Sequence, residues 1–286
     1  MNEFLINANG RDICVCQWSA AKSPIVLCVH GVLDHALVWE PVAAHLTAIG
    51  KRVIAFDMRG HGKSFHAPGY SIYDFMADLG CVFKSVCSQP VILVGHSLGA
   101  MIALMYTALH KGFLILGLVV IEPVVIAVTG EKKGSDLKRS GQYNMPCSQK
   151  HPVFSDVKSA ADHLRIFRSF LDKDFAEKLA TRILKPANHE GFTWTWDFLL
   201  KRQSFMDFGI SNFNSEFYED LVSRIHCPII WVRGKRSKVN HRVDLMALNQ
   251  IFRNSIKYEI EGGHHLHIES PEMVANIIAN IPQILS

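Results

Sequence analysis

A serine flanked by glycines is the feature of this chain best suited to covalent chemistry. The segment Gly95-His96-Ser97-Leu98-Gly99 follows the apolar run Val91 to Val94 and precedes a stretch of helical pattern, Ala100 to His110. A strand that turns sharply into a helix projects its serine hydroxyl above the sheet edge, and small flanking residues let the two elements pack closely. This context predicts that Ser97 is a nucleophile, because chance matches to G-x-S-x-G seldom have it.

The candidate base for this serine lies near the end of the chain. A serine hydroxyl is a weak nucleophile at neutral pH and needs an adjacent base that an acid group orients. Gly262-Gly263-His264 follows the last predicted strand, at the edge where open α/β sheets bind ligands. His264 is therefore the predicted base. His265 and His267 are rivals by proximity, and His267 is interpreted as supporting structure.

Two backbone amides are predicted to stabilise negative charge on a substrate oxygen. Acyl transfer places that charge on the carbonyl oxygen, so two N–H donors should converge on it. One is the amide of Leu98, directly after the nucleophile. The other is the amide of Val32, in the loop His30 to His35 that follows the predicted strand Ile25 to Val29. His35 is interpreted as a solvated loop histidine, with contact to a substrate as the alternative.

Short runs of β-branched residues form the framework that must position these groups. Asn9-Gly10 is a strong hairpin turn within the alternating segment Phe4 to Trp18, so the chain is predicted to begin with two antiparallel strands. Six later runs are predicted as parallel strands buried on both faces: Ile25 to Val29, Val53 to Phe56, Val91 to Val94, Leu116 to Ile121, Ile229 to Val232 and Lys257 to Ile260. The predicted fold class is α/β, an eight-stranded, mostly parallel sheet flanked by helices.

Segments of helical period alternate with these strands, and one connection is far longer than the rest. Helices are predicted at Trp39 to Ile49, Ile72 to Cys87, Leu98 to His110, Val243 to Ile251 and Pro271 to Ile284, the last with Ser270 as its N-cap. About a hundred residues separate Glu122 from Cys227, many more than such connections need. This length predicts a helical cap over residues 123–226, inserted in a core of residues 1–122 and 227–286.

The predicted cap contains helices and an aromatic segment. Its helices are predicted at Asp156 to Phe170, at Lys173 to Leu184 with Asp172 as N-cap, and at Ser215 to Arg224. The aromatic side chains around Trp194 and Trp196 either form a small core of the cap or face the site and make it apolar. Trp194, Trp196, His30, Gly31 and His96 are the predicted substrate-binding residues.

Composition excludes several classes of protein. The chain has 286 residues, is 49% hydrophobic and has a net charge of +4, with no basic stripe of the kind that binds nucleic acid. Its one dense cationic cluster, Lys132, Lys133, Lys138 and Arg139, is interpreted as a solvated surface. Seven irregularly spaced cysteines are typical of free thiols in the cytosol. Neither a signal peptide nor a membrane span is predicted, so a cytoplasmic protein is expected.

These motifs together resemble the α/β-hydrolase superfamily. The resemblance rests on four segments: His30-Gly31, Asp57 to Ser64, Gly95 to Gly99, and Gly263-His264 through Pro271. It covers essentially the whole chain outside the predicted cap. Within the superfamily the chain is similar to capped, lipase-like esterases and to proteins called serine hydrolase-like. In that family the segment Asp57 to Ser64 is a sharp structural turn beside the site, so no catalytic role is assigned to Asp57 or His61.

The resemblance also suggests a place for the acid. Most family members carry Asp after the penultimate strand, where this chain has Ser237. Some superfamily members, including many haloalkane dehalogenases, place the acid after the strand that follows the elbow helix, and Glu122 occupies that position here. Glu122 is therefore the predicted acid, against the alternatives that it caps the start of the insertion or makes an ion pair. Asp244 is a weaker substitute.

The predicted function is a serine hydrolase that cleaves a carboxylic ester or thioester of a small to medium apolar substrate through an acyl-enzyme. Two alternatives stay open. A ligand-binding or sensing protein with little turnover would explain the serine at position 237, and a carbon–carbon bond hydrolase or lyase would use the same triad. No metal or organic cofactor is expected. The expected partner is a small-molecule substrate, and a homodimer is compatible with the sequence.

Overall fold

A computed structural model gives the fold of most of the chain. The structure describes residues 1–21, 24–110, 114–123, 151–187, 190–202, 215–237 and 249–281. The cationic cluster at residues 132–139, the candidate acid Asp244 and most of the helix predicted at Val243 to Ile251 lie outside the described residues.

The chain begins with the predicted hairpin. Strands β1 (Asn2–Ala8) and β2 (Arg11–Trp18) pair antiparallel, with Ala8 opposite Arg11. Asn9 and Gly10 connect them with φ values of 55° and 84°. Positive φ at both central residues is typical of the tight turn that Asn-Gly favours, because its twist matches that of the strands.

Six parallel strands complete one eight-stranded sheet, as predicted. They are β3 (Ile25–Val29), β4 (Arg52–Phe56), β5 (Val91–His96), β6 (Ile115–Ile121), β9 (Ile229–Gly234) and β10 (Ile256–Ile260). The strand order is β1-β2-β4-β3-β5-β6-β9-β10, and only the β1–β2 and β2–β4 pairs are antiparallel. β3 and β5 are buried on both faces, whereas β10 alternates between exposed and partly buried residues because it is an edge strand.

Helices cover both faces of the sheet. The helices outside the long insertion are a 3₁₀ turn (Ala36–Trp39), α1 (Glu40–Ala48), α2 (Ile72–Val86), α3 (Leu98–Leu109), α8 (Leu266–Glu269) and α9 (Pro271–Ala279). Ile25, Leu27 and Val29 of β3 pack on the face that α2 and α3 cover. The alternate residues Val26 and Cys28 pack on the face that α1 and α9 cover. Two separate apolar layers therefore fix the sheet, and with it the loops at its edge.

The connection between β6 and β9, called the insertion below, contains several short elements. They are α4 (Val157–Phe167), α5 (Lys173–Ile183), the hairpin β7 (Leu184–Pro186) and β8 (Phe192–Trp194), α6 (Phe198–Arg202) and α7 (Ser215–Ser223). Asp172 caps α5 as predicted, since its carboxylate accepts the N–H of Phe175 at 2.8 Å. α7 packs against α3, and its Tyr218 lies in the same apolar layer as α2 and α3. The separate cap domain remains a prediction.

The predicted N-cap of the last helix differs in the structure. Ser270 precedes α9 and Pro271 is its first residue, but the Ser270 hydroxyl donates to the carbonyl of Glu261 and leaves the helix amides uncapped.

Within the described part of the chain, no helix has the length and apolar character needed to cross a membrane.

Candidate active site

The backbone at Ser97 has the strained form that the glycine-flanked motif predicts. Ser97 joins β5 to α3 with φ of 53° and ψ of −117°, and its N–H donates to the carbonyl of Ile121 at 3.0 Å. A Cβ atom on Gly95 would lie 2.4 Å from the carbonyl oxygen of Gly99, and one on Gly99 would lie 2.4 Å from the carbonyl oxygen of His30. Both positions need glycine, because β5, α3 and the loop after β3 meet there without space for a side chain.

Glu122, the predicted acid, is buried directly after β6. Its N–H donates to the carbonyl of Val232, and its φ of 49° lies in the left-handed region that non-glycine residues seldom adopt. One carboxylate oxygen, Oε1, accepts the N–H of Gly234 at 2.7 Å. The other, Oε2, accepts the hydroxyl of Ser237. Ser237, at the position where the family resemblance places the acid, therefore donates a hydrogen bond to the carboxylate of Glu122, which follows β6.

His264 meets this carboxylate from the loop after β10. Its Nδ1 lies 3.2 Å from Oε2 of Glu122. The His264 carbonyl accepts a hydrogen bond of 2.8 Å from Nε2 of His96, the residue before Ser97. The rings of His96 and His264 lie 4.7 Å apart. The predicted acid and base are thus in contact, and His96 connects the loop of His264 to the end of β5, next to Ser97.

The structure contains no hydrogen bond between the Ser97 hydroxyl and the His264 ring. Catalytic hydrogen bonds between nucleophile and base are often long in ligand-free enzymes and shorten when substrate binds. The role of Ser97 as nucleophile, with His264 as its base, therefore belongs to the proposed function below.

The two predicted amide donors lie beside the serine. A Cβ atom on Gly31 would come within 3.2 Å of the Cβ of Ser97, so the loop after β3 passes next to Ser97. Leu33 has φ of 60°, and its N–H donates to Nε2 of His61 at 3.1 Å. The amides of Val32 and Leu98 donate to no other described residue. Both N–H groups are therefore free to bind a substrate oxygen.

The predicted substrate-binding residues fall in different environments. His30 is fully buried, its Nδ1 donates to the carbonyl of Gly31 at 2.7 Å, and its Nε2 accepts the N–H of Met58 at 3.0 Å. Both of its ring nitrogens are thus used inside the protein. Trp194 packs on Phe154, and Trp196 packs on His151. These ring contacts of the tryptophans lie within the insertion, so their role in substrate binding stays a prediction.

His35 is not the solvated loop residue that the sequence suggested. It is 2% exposed, and its Nδ1 lies 3.2 Å from Nη1 of Arg182, a residue of α5. Burial lowers the pKa of His35 well below its ordinary value, and the nearby guanidinium acts in the same direction. The correction has a simple cause, because the insertion folds over this loop and the local sequence carries no sign of it.

Two arginines of the insertion reach buried aspartates of the core, and sequence reasoning missed both. Arg182 binds Asp57 in a bidentate pair, with N–O distances of 3.0 and 2.8 Å. Arg168 lies 2.6 Å from Asp34, in the loop that carries the Val32 amide. Arginine in a half-polar helix normally indicates a solvated face, so the sequence held no signal for either pair.

Backbone strain is concentrated at this edge of the sheet. The non-glycine residues with positive φ in the described ranges are Asn9, Ser19, Leu33, Ser97 and Glu122. The last three follow β3, β5 and β6 at their carboxyl ends. Such conformations cost about 1–3 kcal/mol each and cluster at functional sites. Together with the strand order and the Glu122–His264 contact, they define an α/β-hydrolase fold with its site at the usual edge.

Comparison with known proteins agrees with this architecture. The chain belongs to the alpha/beta hydrolase family, whose model matches residues 26–277. It is 24% identical to a serine hydrolase-like protein of Danio rerio over 93% of this chain and 83% of that protein. It is 30% identical to a monoglyceride lipase of Homo sapiens over 43% of each chain.

A solved structure adds a closer match in three dimensions. A thioesterase domain from the curacin biosynthetic pathway superposes with a TM-score of 0.84 at 33% identity, covering 98% of this chain and 99% of that domain. The relatives of this hydrolase family thus include a lipase and a thioesterase.

Proposed function

We propose that this protein is a serine hydrolase that cleaves a carboxylic ester or thioester of a small to medium apolar substrate through an acyl-enzyme. The observation that carries the proposal is the contact of 3.2 Å between Nδ1 of His264 and the buried carboxylate of Glu122. A histidine oriented by a buried carboxylate, beside a serine in a strained strand-to-helix turn, is the arrangement that activates a serine hydroxyl.

The reaction would proceed in two halves. His264 accepts the Ser97 proton as the hydroxyl attacks the carbonyl carbon, and the amides of Val32 and Leu98 bind the oxyanion. The tetrahedral intermediate collapses, and His264 returns the proton to the leaving alkoxide or thiolate. Water then attacks the acyl-enzyme in the same way and releases the acid. Glu122 fixes the His264 tautomer and stabilises the imidazolium without itself taking the proton.

The insertion is proposed to act as the cap of this site. Arg168 reaches Asp34 in the loop that supplies the Val32 amide, and Phe170 packs on His265 with a distance of 5.0 Å between ring centroids. Residues of the insertion therefore contact both loops that flank the proposed nucleophile. Such contacts fit a cap that closes over an acyl group and excludes water from it.

One comparison supports thioester cleavage and another supports ester cleavage. The thioesterase domain is similar over nearly the whole chain, whereas the similarity to monoglyceride lipase covers less than half of it. Both reactions use the same acyl-enzyme, so activity on both classes of substrate is expected.

The binding-protein alternative rested on the serine at position 237. Ser237 donates to the Glu122 carboxylate, so a candidate acid is present at a different position. A carbon–carbon bond hydrolase or lyase would use the same residues and is distinguished by its substrate.

The proposal is tested by initial rates on p-nitrophenyl esters graded from acetate to long acyl chains and on acyl thioesters of matched length. We expect turnover that the substitution Ser97→Ala abolishes. Glu122→Gln should lower kcat by about 10³- to 10⁴-fold, because the wrong histidine tautomer is then favoured. Glu259→Gln, at an exposed position of β10, is the matched control and should leave kcat unchanged.

Two results would contradict the proposal. Turnover that survives Ser97→Ala would place the nucleophile elsewhere. A Glu122→Gln variant that is folded and as active as the wild type would remove Glu122 from the site.

A further inference from the structure

A second group of ionisable side chains lies buried next to the proposed active site. Asp34 follows β3, His96 ends β5 and His267 belongs to α8. All three side chains are buried, and one potential ligand atom from each lies within 4.8 Å of the other two. Three separate elements thus direct nitrogen or oxygen atoms to one point in the protein interior.

The hydrogen bonds of His96 fix which ring nitrogen faces this point. Its Nε2 lies 2.8 Å from the carbonyl oxygen of His264, which can only accept, so Nε2 carries the proton. Nδ1 then presents a lone pair. Nδ1 has no hydrogen-bond partner among the described residues, and it lies 3.9 Å from Oδ2 of Asp34.

His267 has neither ring nitrogen hydrogen-bonded to any described residue, although the side chain is fully buried. Its ring lies 4.4 Å from that of His96 and 4.7 Å from that of Trp39. A buried polar atom without a partner is costly, and most buried polar atoms in proteins are hydrogen-bonded. Nδ1 of His96 and the ring nitrogens of His267 therefore need a partner that the described residues do not supply.

We propose that Asp34, His96 and His267 bind a Zn²⁺ ion, through Oδ2 of Asp34, Nδ1 of His96 and one ring nitrogen of His267. Two imidazoles and one carboxylate are a common zinc ligand set and leave the fourth tetrahedral position for water. Bonds of about 2.0–2.2 Å place tetrahedral ligands about 3.3 Å apart, so Asp34 and His96 must approach by about half an ångström. Ligand atoms at the 4.8 Å limit of the cluster must approach by about 1.5 Å, so zinc binding requires a shift of these buried side chains.

His96 has the partner that a zinc-ligating histidine usually has, and Asp34 has a charged neighbour. Ligating histidines usually donate their other N–H to a carbonyl or carboxylate, as His96 does to His264. Arg168 places a positive charge beside the carboxylate, with Nη2 2.6 Å from Oδ1 of Asp34, the oxygen that does not face His96. A bound ion would link the loop after β3, the end of β5 and α8, and so hold the two loops that flank Ser97 together.

The experiment measures metal binding and does not depend on catalysis. Protein without a polyhistidine tag is stripped with a chelator and titrated with Zn²⁺ against a chromophoric competitor. We expect one equivalent to bind more tightly than any other, and Co²⁺ in its place to give the intense visible absorption of a tetrahedral site. His267→Gln and Asp34→Asn should each abolish that equivalent. His226→Gln, at an exposed position, should leave it intact.

Thermal unfolding separates a folded variant that has lost the zinc site from a variant that does not fold. Zn²⁺ should raise the melting temperature of the wild type and of His226→Gln but not that of a folded His267→Gln, because only native protein with the complete site gains from binding. Failure of the wild type to bind one equivalent of Zn²⁺ would overturn the proposal. Equal Zn²⁺ binding by His267→Gln would overturn it as well.

Discussion

At the scale of single residues, the carboxylate of Glu122 is the centre of the proposed site. It accepts hydrogen bonds from Gly234 and Ser237 and contacts His264, so the end of β9 and the loop after β10 converge on one buried group. Ser237 stands where most relatives are expected to carry the acid. Its hydroxyl and Nδ1 of His264 contact the same oxygen, Oε2 of Glu122. A carboxylate at position 237 would therefore lie within reach of the His264 ring.

The first prediction follows from this shared contact. Adding Ser237→Asp to the impaired Glu122→Gln variant should restore at least about ten-fold in kcat, because the histidine regains a carboxylate partner. Ser237→Ala alone should lower kcat modestly, because Glu122 loses one of the hydrogen bonds that hold it. A hydrogen bond to a charged group contributes about 1.5–3 kcal/mol. The measurement is kcat for ester hydrolysis by the single and double variants.

A double variant no more active than Glu122→Gln, yet folded, would show that position 237 cannot support His264. Ser223→Asp in the Glu122→Gln background, at an exposed position of α7, is the matched control for the added charge and should give no recovery.

At the scale of elements, helix α5 is joined to the core by a buried charge. Arg182 is 9% exposed and binds Asp57, while its Nε lies 3.0 Å from Oε2 of Glu3 on β1. Asp57 also accepts the amides of Ala36 and Lys63. One helix of the insertion is thus connected to β1, to the loop after β3 and to the turn after β4.

The second prediction concerns this ion pair. Arg182→Met should lower the free energy of unfolding by about 3–5 kcal/mol, because the Asp57 carboxylate stays buried after its partner is removed. Arg224→Met is the matched control, since Arg224 pairs with Asp220 on the exposed surface of α7 and such pairs contribute about 1 kcal/mol or less. Urea denaturation of both variants gives the comparison.

A loss below about 1 kcal/mol for Arg182→Met would contradict the assigned role. Replacing Asp57 by Asn in the same variant removes the unpaired charge and should recover part of the stability, which separates lost charge pairing from lost packing.

At the scale of the whole molecule, buried histidines couple the fold to pH. His30 and His61 share one hydrogen-bonding scheme: Nδ1 faces a carbonyl oxygen and Nε2 accepts a backbone N–H. A proton on Nε2 would remove the acceptor. Burial lowers the pKa of His30 well below its ordinary value and that of His61 to about 4. Both rings therefore stay neutral in the folded protein.

The third prediction is a loss of stability in mild acid. Below a pH of about 6.5 the unfolded chain protonates these histidines while the folded protein does not, so unfolding takes up protons and becomes more favourable. Each such histidine should cost about 1.4 kcal/mol per pH unit, until the pH reaches the folded-state pKa of about 4 for His61. Urea unfolding at pH values of about 7.5, 6 and 5 measures the slope.

His61→Gln should show a shallower slope than the wild type, because one titrating group is gone. His226→Gln, exposed in the fold, should keep the wild-type slope. Constant stability from pH 7.5 to about 5 would contradict the neutral state of these rings in the folded protein.

The sequence by itself determined the features that depend on neighbouring residues. The hairpin at Asn9-Gly10, the eight strands and the tight turn at Ser97 follow from local backbone preference and from the period of apolar residues, and the structure confirms them. The positions of His264 and Glu122 were predicted from loop context and from family resemblance.

Only the tertiary structure decided which distant groups meet. Glu122 and His264 are separated by 142 positions and touch because β6, β9 and β10 lie side by side with their carboxyl ends at one edge. The bonds of Arg182 to Asp57 and of Ser237 to Glu122, the burial of His35 and the histidine–aspartate cluster depend on the same packing. Local sequence patterns cannot encode such contacts, because they are set by strand order and by the course of the insertion across the core.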